Sequence, residues 1–156
     1  MNDCDLELKG VYIIVLDRET LWNGLNDPEI LQSCIKGCKK VECIEENRFV
    51  AEFKFKVGPI KKSFFAHLRV IDINLPDSFR LETCMDAGIA GDVYGTADVV
   101  LLELAEKQTR LNYYAEIDAK GWLGELGFKV LGSTAERYLK NFFDKIVLEI
   151  EQRERA

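Results

Sequence analysis

A change of hydrophobic period constrains this chain more than anything else in it. From Gly37 to Ala119 apolar and polar residues alternate, and from Trp122 onward the apolar residues recur at helical spacing. Alternation over that length needs several strands joined by hairpins. Residues 41–44 begin it, and Glu45-Glu46-Asn47-Arg48 makes the first turn. Ala51, Phe53, Phe55 and Val57 then share one face before Gly58-Pro59 turns the chain again. Phe64, Ala66, Leu68 and Val70 extend that face, and residues 74–78 turn into Phe79, Leu81, Thr83, Met85 and Ala87. The small residues 87–91 lead to Val93, Gly95, Ala97, Val99 and Leu101; Leu111, Tyr113, Ala115, Ile117 and Ala119 close the sheet.

Ahead of this block, Leu8, Gly10, Tyr12, Ile14 and Leu16 occupy one face of an opening strand, with Val11, Ile13 and Val15 on the other. Asp17 is placed to cap a short helix that buries Leu21, Trp22 and Leu25. Asp27 followed by Pro28 marks the start of a second. Beyond the sheet, Leu123, Leu126, Val130, Leu131, Tyr138, Phe142, Ile146 and Ile150 form one stripe of a long helix. That stripe has to be buried, and the inner sheet is the only large apolar face available. The expected fold is α+β: a curved seven-stranded antiparallel sheet around a long C-terminal helix, with two short helices after the first strand.

With 156 residues, 47% of them apolar and only three prolines, residues 1–156 suit a single domain with a sizeable core. The net charge is −6 and the basic residues are scattered, which argues against nucleic acid and against attraction to an anionic membrane. The acidic start MNDCDLELKG is no signal peptide, and the longest apolar runs are too short to span a bilayer. Five cysteines without a secretion signal point to free thiols in the reducing cytoplasm.

Small residues (Gly10, Ala51, Ala66, Ala87, Gly95, Ala97, Ala115 and Ala119) sit among large ones on the inner face, and Gly121, Gly124, Gly127 and Gly132 fall in the first half of the long helix. Each helical glycine costs about 1 kcal/mol against alanine. Either the helix and sheet interdigitate closely there, or a ligand lies between them. In the second case Phe53, Phe55, Phe64, Leu68, Met85, Tyr113, Trp122, Leu126, Val130 and Tyr138 line the space. Tyr113, Trp122 and Tyr138 each join an apolar ring to one polar group, suited to a flat ring bearing a carbonyl, or simply to a cavity rim.

Cys34, Cys38 and Cys43 fall within ten residues, but C-x3-C lacks the second ligand pair a zinc site needs. The lone His67 and Cys84 both fall on outer strand faces. Cys34 and Ile35 are expected to pack at the end of the second short helix, with Gly37 as the turn into the sheet. No acid, base and nucleophile converge, so intrinsic catalysis is not expected.

The element order and several stretches resemble the G-subunit family of carbon monoxide dehydrogenase, within the START-related helix-grip (SRPBCC) superfamily. The resemblance rests on Leu25-Asn-Asp-Pro-Glu-Ile-Leu31 followed by Cys34-Ile-Lys-Gly-Cys38, on Val57-Gly-Pro-Ile60, on Gly95-Thr-Ala97 within residues 91–101, and on Leu111-Asn-Tyr113. It implies a helix-grip fold with an internal apolar cavity. It also implies an accessory role beside molybdenum hydroxylases of the carbon monoxide dehydrogenase type: recruiting the enzyme to the inner face of the membrane and binding a quinone. Lys36 stands where the family's loop motif has proline. Some members continue into a tail or anchor beyond the helix, so membrane contact here would need a surface patch or a partner.

The reading is therefore a non-catalytic protein that binds a quinone or lipid-like molecule, with a molybdenum hydroxylase as candidate partner. The alternatives are a general lipid- or metabolite-binding module and a cyclase- or hydrolase-like enzyme. Val11, Ile13 and Val15, near Val100 and Leu102, are expected to form a continuous outer patch suited to a homodimer.

Overall fold

The computed structural model describes residues 4–57, 59–86, 92–119, 137 and 139–154. Strand β1 (Cys4–Ile14) is followed by helices α1 (Arg18–Leu25) and α2 (Pro28–Cys34). Six strands come next: β2 (Cys38–Glu45), β3 (Arg48–Val57), β4 (Ile60–Asn74), β5 (Ser78–Asp86), β6 (Asp92–Ala105) and β7 (Gln108–Ala119). Helix α3 occupies residues 139–154. All pairings are antiparallel, in the order β1-β7-β6-β5-β4-β3-β2. This is the expected helix-grip arrangement.

The register carries the alternation read from the sequence across the sheet. Phe53 faces Phe64, Ala51 faces Ala66, Thr83 faces Gly95, and Leu101 faces Leu111. Every second residue is thereby brought to one face, which is the buried one. Strand β2 starts earlier than the alternation suggested. Cys38 is its first residue, half-buried beside Phe53 and Val41, so the hinge is shorter and centres on Gly37, whose φ is 83°. Phe49, unmarked by the sequence pattern, is buried on the inner face near Leu31 and Val70.

The core has two parts that meet at Phe79 and Phe142. One packs Ile146 and Ile150 of α3 against Leu21, Ile30, Cys34, Val99, Leu101 and Leu111. The other gathers Leu31, Val41, Phe49, Ala51 and Val70, with Trp22, Phe53 and Leu68 against it. Helix α1 comes close to α3 because Gly24 lacks a Cβ, which would lie 2.4 Å from Ile150 Cδ1. Arg153 adds a tie at the same end, reaching Glu29 at 3.5 Å and Glu149 at 3.2 Å. Arg18 joins α1 to the β4–β5 turn through Asp77 at 2.7 Å.

Both short helices start on the expected caps. The Asp27 carboxylate accepts from the Glu29 and Ile30 amides, and Pro28 needs no amide partner there. Asp17 accepts from the Thr20 hydroxyl at 2.6 Å and from its amide at 3.1 Å. The hydroxyl bond is the main reason the Asp17 carboxyl lies below its ordinary value of 3.8. A carboxylate depressed by folding contributes stability above its unfolded pKa and loses it as pH falls through the folded one. Asp17→Asn keeps a capping oxygen but cannot titrate. Acid-unfolding curves should show a shallower loss of stability below about pH 4 for this variant than for the parent.

The two sheet edges differ. Strand β2 carries register shifts at Cys38/Lys40 and Cys43/Glu45 and exposes Lys39, Lys40, Glu42 and Cys43. Strand β1 pairs with β7 without a break over 11 residues.

Candidate functional site

The inner face is tightly filled near α1 and α2 and more open toward the other end of the sheet. Phe49, Val70, Leu101 and Leu111 are buried at the first end, whereas toward the other Thr83, Met85, Val93 and Ile117 are half-buried, with Phe53 half-buried opposite a Phe64 that is 3% exposed. Gly95 supplies a floor position where a Cβ would lie 3.1 Å from Thr83 Cγ2. The described lining is hydrocarbon apart from a few hydroxyl and phenol groups, so it would desolvate an apolar molecule without opposing it by charge.

Tyr113 is held across this face by its neighbours. It stands opposite Gly10, and a Cβ on Gly10 would meet the Tyr113 ring at 2.8 Å. The missing side chain lets the ring lie over β1. There it stacks on Tyr12 with centroids 5.9 Å apart and planes 10° from parallel. Tyr12 in turn packs at 4.7 Å on Phe143 of α3, which meets Phe142 edge-on at 5.2 Å. The sequence marks Gly10 and Tyr113 as inner-face residues. Their dependence on each other, and the Tyr12–Phe143 continuation into α3, appear only once register is known.

Of the expected lining residues, the structure therefore brings Phe53, Phe64, Leu68, Met85 and Tyr113 to one face. The backbone of Phe55 pairs with Lys62 on the same sheet, while its side chain lies outside the described residues. Trp122, Leu126, Val130 and Tyr138 also lie outside them, as do the glycines of the first half of the long helix.

Two clefts open elsewhere. One of about 270 Å³ lies over the outer-face residues His67, Arg69, Glu82, Cys84 and Tyr94. The other, about 500 Å³, lies between α1 and the β4–β5 turn, where Trp22, Leu75 and Pro76 meet Asp17, Arg18, Glu19 and Glu103. Several of their polar groups are paired: Arg69 and Tyr94 with Glu82, and Arg18 with Glu103 and with Asp77 of the adjoining turn.

Among the described residues no three His, Cys, Asp or Glu side chains converge as metal ligands. Cys34, Cys38, Cys43 and Cys84 are free thiols. Cys34 is 2% exposed within the α3 core, and burial pushes its thiol above the usual range, with Glu149 adding to the effect. Burial also raises Cys38. Because the thiolate is the reactive form, iodoacetamide at neutral pH should label exposed Cys43 and Cys84 well before Cys34. Peptide mass spectrometry over time would show this; early labelling of Cys34 would mean the helix end opens freely.

The outer apolar patch is not continuous. Asn112 stands between Val11 and Val100, and Arg110 between Ile13 and Leu102, because β7 lies between β1 and β6. Val11, Ile13 and Val15 are each about half exposed, but they form a row along β1 and the residue just past its end rather than a broad face.

A family model for the carbon monoxide dehydrogenase G subunit (CoxG) matches residues 10–151. The chain belongs to the CoxG family. Among solved structures, a conserved protein from Geobacillus kaustophilus is similar at 29% identity and a TM-score of 0.84, with 94% of this chain and 96% of that one covered. Human STARD10 shares the fold at 13% identity and a TM-score of 0.67, over 96% of this chain and 66% of its own. The Zhui aromatase/cyclase from Streptomyces sp. R1128 does so at 16% identity and 0.66, with 97% of both chains covered. No curated protein matches. Among the described residues of this CoxG family member, no helix is long and apolar enough to cross a membrane.

Proposed function

We propose that this CoxG family member is a non-catalytic accessory protein that holds an apolar small molecule, a quinone or a lipid-like compound, between the inner sheet face and the C-terminal helix. The observation that carries the reading is the uneven filling of that face. Where α1, α2 and α3 pack on it, Val99, Leu101 and Leu111 are buried, while further along the sheet Met85, Val93 and Ile117 stay half-buried around small residues such as Gly95. The Tyr12–Tyr113 stack offers a flat ring a ready-made partner surface. Family membership supports a role beside a molybdenum hydroxylase, as a protein that recruits the enzyme to the membrane or passes its electrons to a bound quinone.

The Streptomyces aromatase/cyclase shows that the same fold can serve an enzyme. That reading has less support here. The polar groups found on the described inner face are hydroxyls and phenols, without a carboxylate and imidazole beside them.

Native mass spectrometry of protein from its own host should show a co-purifying apolar ligand, and a short-chain ubiquinone analogue should raise the melting temperature. Met85→Lys, placing a charge on the half-buried face, should abolish that rise, whereas Met85→Leu, which keeps the apolar volume, should retain it. If nothing co-purifies and neither quinone nor fatty acid shifts the melting temperature, the binding reading fails.

A further inference from the structure

The β1 edge lacks the bulges and prolines that usually blunt an edge strand. Exposed edges are normally blunted by bulges, prolines, short length or dense charge. Strand β2 is blunted in this way by two register shifts and its exposed lysines and glutamates. Strand β1 is 11 residues long, without proline or bulge, carries charge only at Asp5, Glu7 and Lys9, and among the described residues pairs with no strand but β7.

The charges along β1 are unbalanced within one chain. Glu7 stands directly opposite Glu116, a like-charge cross-strand pair that is unfavourable in a sheet. The Tyr114 hydroxyl donates to Glu116 at 3.2 Å but cannot neutralise two carboxylates. Burial of the ring first, then these two acids, push the Tyr114 phenol up to about 12. Lys9 is exposed two residues from Glu7 on the same face and makes no ion pair among the described residues. An antiparallel copy of β1 corrects this. With Leu8 opposite Leu8 of the second copy, Lys9 falls opposite Glu7 of the second copy, and the reciprocal contact repeats across the axis. Leu6 and Leu8, half-buried on the inner side, would extend the apolar face through the same contact.

We propose that the β1 edge takes up a second copy of this chain, β1 adding antiparallel to β1 about a two-fold axis at Leu8, with Glu7 of each copy facing Lys9 of the other. The contact is isologous, so one substitution acts twice. It needs no bound ligand and stands independently of the ligand reading.

Sedimentation velocity of the full chain over a range of concentrations tests it. The parent should show a monomer–dimer equilibrium. Glu7→Lys and Lys9→Glu should each weaken the dimer about tenfold by creating two like-charge contacts, and the double exchange should restore it. Both positions are exposed, and circular dichroism would confirm that each variant is folded. A parent that stays monomeric throughout, or a dimer indifferent to both single exchanges, overturns the proposal. So does a double exchange that fails to recover. Capture of an unrelated extended peptide by a monomeric parent would count against it as well, since the edge would then serve a different occupant.

Discussion

Replacing Ile146 with alanine should lower the unfolding free energy by about 3 kcal/mol, measured by urea denaturation. Ile146 is 0% exposed and sits where α3, α1 and the inner sheet meet, among Leu21, Leu101 and Leu111. Removing its branches takes apolar surface out of the core and leaves a cavity that three elements would have to close together. Leu148 is the control, two residues further along the same helix and 58% exposed. Leu148→Ala should stay within about 0.5 kcal/mol of the parent. Equal losses at both positions would mean that α3 is not docked on the sheet.

Thr109→Val should cost about 2 kcal/mol although it preserves shape and adds apolar character. The Thr109 side chain is fully buried, and its hydroxyl donates to the Leu16 carbonyl at 2.7 Å. Leu16 belongs to the segment where the chain leaves β1 and turns into α1, so this bond fixes the start of the helical corner. Valine leaves that carbonyl in an apolar site with its partner removed, which costs more than an ordinary hydrogen bond contributes. Thr109→Ser retains the donor and loses only a methyl, so it should fall between the parent and the valine variant. A valine variant as stable as the parent would show that water or another donor reaches Leu16.

The strand framework was legible because alternation is set by the backbone itself. One residue of slip would move Phe64, Ala66 and Val70 from the inner face to solvent, so their pattern fixes orientation before any contact is known. The helix caps were legible for a similar reason: Asp17 and Asp27-Pro28 satisfy local amide needs with local atoms. What the sequence could not show depends on partners far along the chain. Gly24 reads as a poor helix residue until Ile150 is placed against it, and Thr109 as an ordinary strand threonine until Leu16 is beside it. The expectation of a continuous outer patch failed on strand order, because hydropathy does not reveal that β7 inserts Asn112 and Arg110 between the two apolar rows. The candidate site lies between these cases. Its floor follows from alternation, whereas the tilt of Tyr113 over Gly10 belongs to side-chain packing.

The unequal sheet borders also set a limit on assembly. A sheet open at both borders could recruit copies at each and grow into a fibre. Here the β2 border is bent by two register shifts and lined with lysine and glutamate, so a neighbour's straight strand finds no matching ladder. Pairing through β1 uses up the one receptive border of each chain. Association of that kind terminates at two, and the blunted border serves as the chain's protection against polymerisation.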